Sequence, residues 1–193
     1  QPQNIGTGLH FAHIESLLFG QKNYDFVVLL EHDFVLGPGY LEVLEQLRER
    51  FADDERVSCV SVHSRAFKED CDTQEQNKLR YQAMTHDWGA GVFRRTWQRR
   101  LPAMQSYYQL LSGVPFEQRN NQLIHRWMED MGFVRGSTSQ DTIKACVDSA
   151  LGLARVTPYV NMGTYIGAEG MHWNREIYES AGYHQTVVWS GQY

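Results

Sequence analysis

The sequence holds little cysteine, no surplus of positive charge and no long apolar run. Cysteine occurs three times, at Cys59, Cys71 and Cys146, with no C-x-x-C spacing. That argues against a zinc ribbon, and the odd number fits a reducing compartment. Cys59 lies in the apolar stretch 57–62 and reads as a small buried hydrophobe. The formal net charge is -5 and the pI about 5.9, which argues against a general nucleic-acid binder but leaves room for a small anion held through a metal. No apolar run reaches bilayer-spanning length, and no secretory leader is expected. A cytoplasmic protein is expected, with the soluble part of a membrane-associated or Golgi-type enzyme as the alternative. The first residue is Gln1 rather than Met, as in a processed product, a fragment or a renumbered chain.

What is present suits a folded domain. The chain has 193 residues, of which 42% are hydrophobic and 12% aromatic, with 5 Trp and 10 Tyr. Aromatic rings stack on sugar faces and fill cores alike. One domain over 1–193 is expected, with 1–8 and 175–193 flexible. Apolar spacing predicts a helix over 10–19, closed by Gly20-Gln21-Lys22-Asn23. A second helix opens at Pro38 with Leu41, Val43, Leu44, Leu47 and Phe51 as its stripe. Residues 57–62 read as a strand, and 63–84 as a long polar loop without apolar pattern. Helices are predicted through Arg95, Trp97 and Leu101, over 107–111 and over 116–131, the last closed by Gly132. Arg94, Arg95, Arg99 and Arg100 read as a solvated helix face or a phosphate contact.

The stretch around which the rest is organised is Tyr24-Asp25-Phe26-Val27-Val28-Leu29-Leu30-Glu31-His32-Asp33. Five apolar residues end in an acidic cluster and are followed by Gly37-Pro38-Gly39. This pattern reads as a strand buried on both faces. Ligands of open α/β sheets sit beyond the carboxyl ends of the strands. Glu31, His32 and Asp33 would therefore be delivered into a site, where carboxylates suit a hard divalent cation. A strand end with a solvated turn is the plainer account.

Three further stretches stand out. In Thr85-His86-Asp87-Trp88-Gly89-Ala90-Gly91 the small residues let backbone approach a ligand. His86-Asp87 could form a metal or acid/base pair. Ser137-Thr138-Ser139-Gln140-Asp141 opens a helix, so Asp141 reads either as an acid favoured by the macrodipole or as a functional carboxylate. Residues 161–174 are Gly-rich and polar and contain His172. They read as a lid or a turn-rich tail.

Val28-Leu29-Leu30-Glu31-His32-Asp33, followed by Pro38-Gly39-Tyr40-Leu41, resembles the metal-binding segment of GT-A glycosyltransferases, especially N-acetylglucosaminyltransferase-I-like and family 2 enzymes. There a strand ends in Asp-x-Asp or Glu-x-Asp and the next residues open a helix. The resemblance implies an α/β, GT-A-like (Rossmann-like) mixed sheet flanked by helices and a metal-dependent inverting glycosyltransferase. The donor would be a nucleotide sugar, the acceptor a glycan, lipid or protein. By position it makes Asp33 and His172 ligands of Mn²⁺ or Mg²⁺. Glu31, His32, Trp88, Gly89 and Gly91 would lie at the donor and Asp141 would be the catalytic base. His32 departs from the commoner acidic middle residue, and the Trp-Gly order at 88–91 differs from the family's. Only about thirty residues precede the acidic motif, room for one helix and one strand at usual lengths. The nucleotide-gripping βα units are therefore expected to be absent. The alternatives are a non-catalytic sugar- or nucleotide-binding module, a fragment of a larger enzyme, and a metal hydrolase built on His32, Asp33, His86, Asp87 and His172.

Overall fold

The computed structural model describes residues 5–115, 118–169 and 174–193. It is a mixed α/β protein whose five-stranded sheet, in the order β1-β5-β3-β6-β4, is flanked by helices. The strands are β1 (Phe26–Val28), β3 (Val57–Val60), β4 (Tyr81–Ala83), β5 (Gly91–Phe93) and β6 (Ala154–Pro158). β3 runs parallel to β6, whereas β5 on β3 and β4 on β6 are antiparallel. A separate pair joins β2 (Phe34–Leu36) to β7 (Gly163–Tyr165), antiparallel, with Phe34 opposite Tyr165. The chain groups into two compact units, 1–27 with 93–153, and 28–92 with 154–193.

The first unit is helical: α1 (Gly6–Glu15), a π-helical turn (Ser16–Gln21), α4 (Arg94–Leu111), α5 (Asn121–Asp130) and α6 (Gln140–Ala150). Its core is Met104, Tyr107 and Leu111 of α4 with Ile124 and Met128 of α5 and Ile143 and Val147 of α6. The two short helices expected at 95–101 and 107–111 are one 18-residue helix that carries Pro102 inside it. Proline removes one backbone donor, and buried anchors on both sides, Arg100 and Met104, hold the turns together. The arginine face is only partly solvated, with Arg99 exposed. Arg100 is buried and forks onto Asp148 at 2.6 and 2.5 Å. Arg94 binds Asn23 and Asp25, and Arg99 donates to the Leu151 carbonyl. α1 begins at Gly6, inside the stretch expected to be unstructured.

The second unit carries the sheet and α2 (Tyr40–Arg50), α3 (Cys71–Asn77) and α7 (Arg175–Ala181). α2 buries Tyr40, Val43, Leu44 and Leu47 and keeps its charges outward, with Glu45 and Arg48 paired. Every residue of β3 is buried, Cys59 included. The polar segment 63–84 is ordered rather than a plain loop. Asp70 caps α3 by accepting from the Thr73 amide, and β4 follows as an edge strand. Its amphipathic signal is weak because only Gln74 of α3 is buried, where its side-chain oxygen accepts from the Asn161 amide. The tail 175–193 is likewise held: Trp189 is 1% exposed and its amide donates to the Asn161 carbonyl.

Candidate functional site

β1 is shorter and more open than its apolar run implies. It spans three residues, and Leu30 beyond it is 52% exposed, because β1 lies at the edge of the sheet. A turn at Glu31, whose carbonyl accepts from the Phe34 amide, carries the chain into β2. A strand, not a helix, therefore follows the acidic residues directly, and α2 starts only at Tyr40. The β2–β7 register fixes Asp33: its carbonyl accepts from the Ile166 amide at 2.8 Å.

The Asp33 carboxylate is the chemically distinctive group here. Its Oδ1 is buried and makes no hydrogen bond among the described residues. The Tyr165 hydroxyl hydrogen-bonds the carboxylate, and its pKa is pushed up to about 12, first by burial and then by the charges of Asp33 and Glu31. A methyl group on Gly167 would stand 2.6 Å from Asp33 Oδ2 and against the Tyr165 ring. Only glycine lets this loop lie across the carboxylate. A desolvated anionic oxygen without a donor is costly, and a hard cation relieves that cost. Glu31 is half-buried and His32 exposed. Among the described residues, no group of three or more His, Cys, Asp or Glu side chains is placed to hold a metal ion. Asp33 with Glu31 is thus a partial donor set. The expected ligand His172 lies outside the described residues.

Behind Asp33 stands an aromatic wall. Trp88 is stacked between His86 (4.3 Å, 3°) and Tyr165 (3.9 Å, 6°). Tyr183 meets all three edge-on, and its hydroxyl contacts His86 Nε2 at 3.0 Å. Phe67 stacks on Tyr183 and on His63. His63 is 1% exposed, with Nδ1 2.8 Å from the Asn161 side-chain oxygen. Burial pulls the pKa of both histidines down to about 4, and His86 is lowered further by His63, Arg155 and Arg65. Both are therefore neutral imidazoles at pH 7.

These contacts change four readings. Trp88 offers no face to a sugar, since His86 and Tyr165 cover both. The room at Gly89 is taken by the protein itself: a Cβ there would strike the Tyr40 hydroxyl and Phe34, and Tyr40 donates to the Gly89 carbonyl. Gly91 is an interior β5 residue opposite Val60. His86 and Asp87 do not act as a pair. His86 joins the wall, while Asp87 is ion-paired with Arg155.

Asp141 belongs to the first unit. The cap of α6 is Ser139, whose hydroxyl accepts from the Thr142 amide, so Asp141 is not the capping residue. The macrodipole would favour ionised Asp141, yet its pKa is raised: burial is the main cause, opposed by Lys144 and reinforced by Glu15. Desolvation outweighs the helix field because the carboxyl is largely shielded from water.

His63, Tyr165 and Tyr183 carry the geometry and escape sequence reading. They are single aromatic residues, with His63 a hundred or more positions before the two tyrosines, and no local spacing marks them. No family model matches the chain, and no curated protein matches it.

Proposed function

We propose that this chain is the catalytic part of a metal-dependent inverting glycosyltransferase of GT-A type, moving a sugar from a nucleotide sugar to an acceptor hydroxyl. The carrying observation is the Asp33 carboxylate, delivered by the turn after an edge strand, with a buried oxygen that lacks a donor among the described residues. Glu31 adds a second carboxylate two residues earlier, and in the sequence His172 follows Gly167, the glycine that lies against Asp33, by five residues. In this reading Asp33, Glu31 and His172 hold Mn²⁺ or Mg²⁺. When bound, such a cation neutralises charge on a departing diphosphate.

The remaining residues act by position. Tyr165 donates to Asp33 and fixes its rotamer. The Trp88 stack holds the Tyr165 ring flat, so Trp88 serves the site from behind instead of stacking on a sugar. Gly89 lets Tyr40 and Phe34 close beneath that stack. The resemblance would make Asp141, in the first unit, the group that takes the acceptor proton, and a carboxylate whose pKa is raised by burial is a better proton acceptor than an ordinary one.

The test is release of nucleoside diphosphate from a panel of nucleotide sugars, with Mn²⁺ or with chelator. Release should require the metal and be abolished in Asp33→Asn. Asp141→Asn should lower it roughly 10²–10⁴-fold, the usual range for a lost general base. Metal-dependent binding without release would leave a binding module. Release that ignores the chelator would sink the proposal.

A further inference from the structure

The helical unit contains a charge cluster that the donor site does not use. Lys144 Nζ of α6 lies 2.5 Å from Glu15 Oε1 of α1, and the two side chains are 6% and 5% exposed. The Lys144 ammonium also sits 5.1 Å from the centre of the Phe11 ring, so α1 receives it with both a carboxylate and a ring face. Asp141 precedes Lys144 by three residues on the same helix, a spacing that puts both on one face. The ammonium thus has Glu15 as its hydrogen-bonded partner, with Asp141 one helical turn away on the same helix.

The other groups around Asp141 cannot substitute for the lysine. The Gln140 amide donates to Asp141 Oδ1, while its own Oε1 is buried without a hydrogen-bond partner among the described residues. Tyr107 of α4 gives its hydroxyl to the Thr138 carbonyl. Tyr108 of α4 has a buried hydroxyl that makes no hydrogen bond among the described residues, and burial with the Glu15 charge raises its pKa. Arg119 donates to the Ile5 carbonyl, and Arg100 is held by Asp148. Lys144, the cation one helical turn from Asp141, is therefore hydrogen-bonded to Glu15.

We propose that Glu15 is a positioning residue for Asp141: by engaging Lys144 it withholds a dedicated counter-ion from the Asp141 carboxylate and keeps that carboxylate available to accept a proton. The inference rests on the assignment of Asp141 as the base, but its test does not need turnover.

The experiment follows the Asp141 side-chain carboxyl by ¹³C NMR across pH, assigned by its loss in Asp141→Asn, in wild type, in Glu15→Gln and in the double variant Glu15→Gln/Lys144→Met. Removing the Glu15 charge frees Lys144 for Asp141, so the Glu15→Gln midpoint should move to lower pH. Removing both charges deletes the larger, pKa-lowering influence of Lys144 along with that of Glu15, so the double variant should titrate at higher pH than wild type. Glutamine keeps a hydrogen-bond acceptor for Lys144, and the double variant leaves no buried charge unpaired. Opposite displacements support the proposal. A Glu15→Gln midpoint that stays or rises overturns it. If Glu15→Gln does not fold, a double-variant midpoint at or below wild type overturns it and one above supports it. Opposite displacements in a protein that transfers no sugar would uphold the charge cluster and reject the transferase.

Discussion

Gly89→Ala separates a glycine kept for a ligand from one kept for packing. Gly89 has φ +63°, and an alanine there carries about 1–2 kcal/mol of left-handed strain. Its Cβ would also strike the Tyr40 hydroxyl and stand 2.8 Å from Phe34 Cε1. Both rings belong to the core, at 1% and 7% exposure, so overpacking adds about 1–3 kcal/mol. Tyr40 must then leave the Gly89 carbonyl at 3.1 Å and Ser61 Oγ at 3.4 Å, and a stranded buried hydroxyl costs about 1–3 kcal/mol more. These costs overlap because one movement of Tyr40 relieves part of each, so about 3–5 kcal/mol is expected. For a chain of this size that lowers the melting temperature by about 6–20 °C. Gly152→Ala is the control: φ is +67° and no atom lies within 4 Å of the added Cβ, so strain alone applies, about 1–2 kcal/mol. The assay is thermal unfolding of both variants followed by circular dichroism. Equal losses in the two would refute the packing argument and return Gly89 to a ligand role.

Arg100→Ala should cost about 3–5 kcal/mol by leaving Asp148 charged and buried, whereas Arg100→Met/Asp148→Leu should be near neutral; urea unfolding of the pair decides. His63 and His86 should make the fold acid-sensitive. Their folded pKa values near 4 lie below the ordinary 6.5, so the unfolded chain binds more protons in that window and stability falls as pH drops from about 6.5 to 4. His63 alone contributes about 3 kcal/mol, and His63→Gln should roughly halve the fall of the urea midpoint across those pH values, His86 keeping the rest. Asp141 has the opposite sign: with its folded pKa raised, stability falls as pH rises through that value. Asp141→Asn should therefore melt higher than wild type at neutral pH, and a lower melting point would contradict the burial argument.

The α/β class was legible because its signals are local. The stripe of α2 and the apolar run of β3 each state their own secondary structure. The acidic turn was legible as well, since charge directly after an apolar run is rare enough to notice. What was lost is long-range. Whether Leu30 is buried depends on which strand flanks β1, and the answer, an open edge, is a matter of sheet order. Whether Arg100 is solvated depends on Asp148, which is 48 residues away. Trp88 could have faced a sugar until His86 and Tyr165 closed on it. At Asp141 the sequence offers a helix start and hence a stabilised anion; only the packing of α6 shows that desolvation wins.

The central claim is that Asp33 binds a divalent cation that in turn holds a diphosphate. The most direct measurement is Mn²⁺ titration by electron paramagnetic resonance, with and without a nucleoside diphosphate, on wild type, Asp33→Asn and Asp141→Asn. Mn²⁺ should bind wild type and bind more tightly with the diphosphate present. Asp33→Asn should lose both effects while keeping the wild-type circular dichroism spectrum, and Asp141→Asn should keep both. Undiminished Mn²⁺ binding by Asp33→Asn, or no Mn²⁺ binding by wild type with the diphosphate present, would contradict the account.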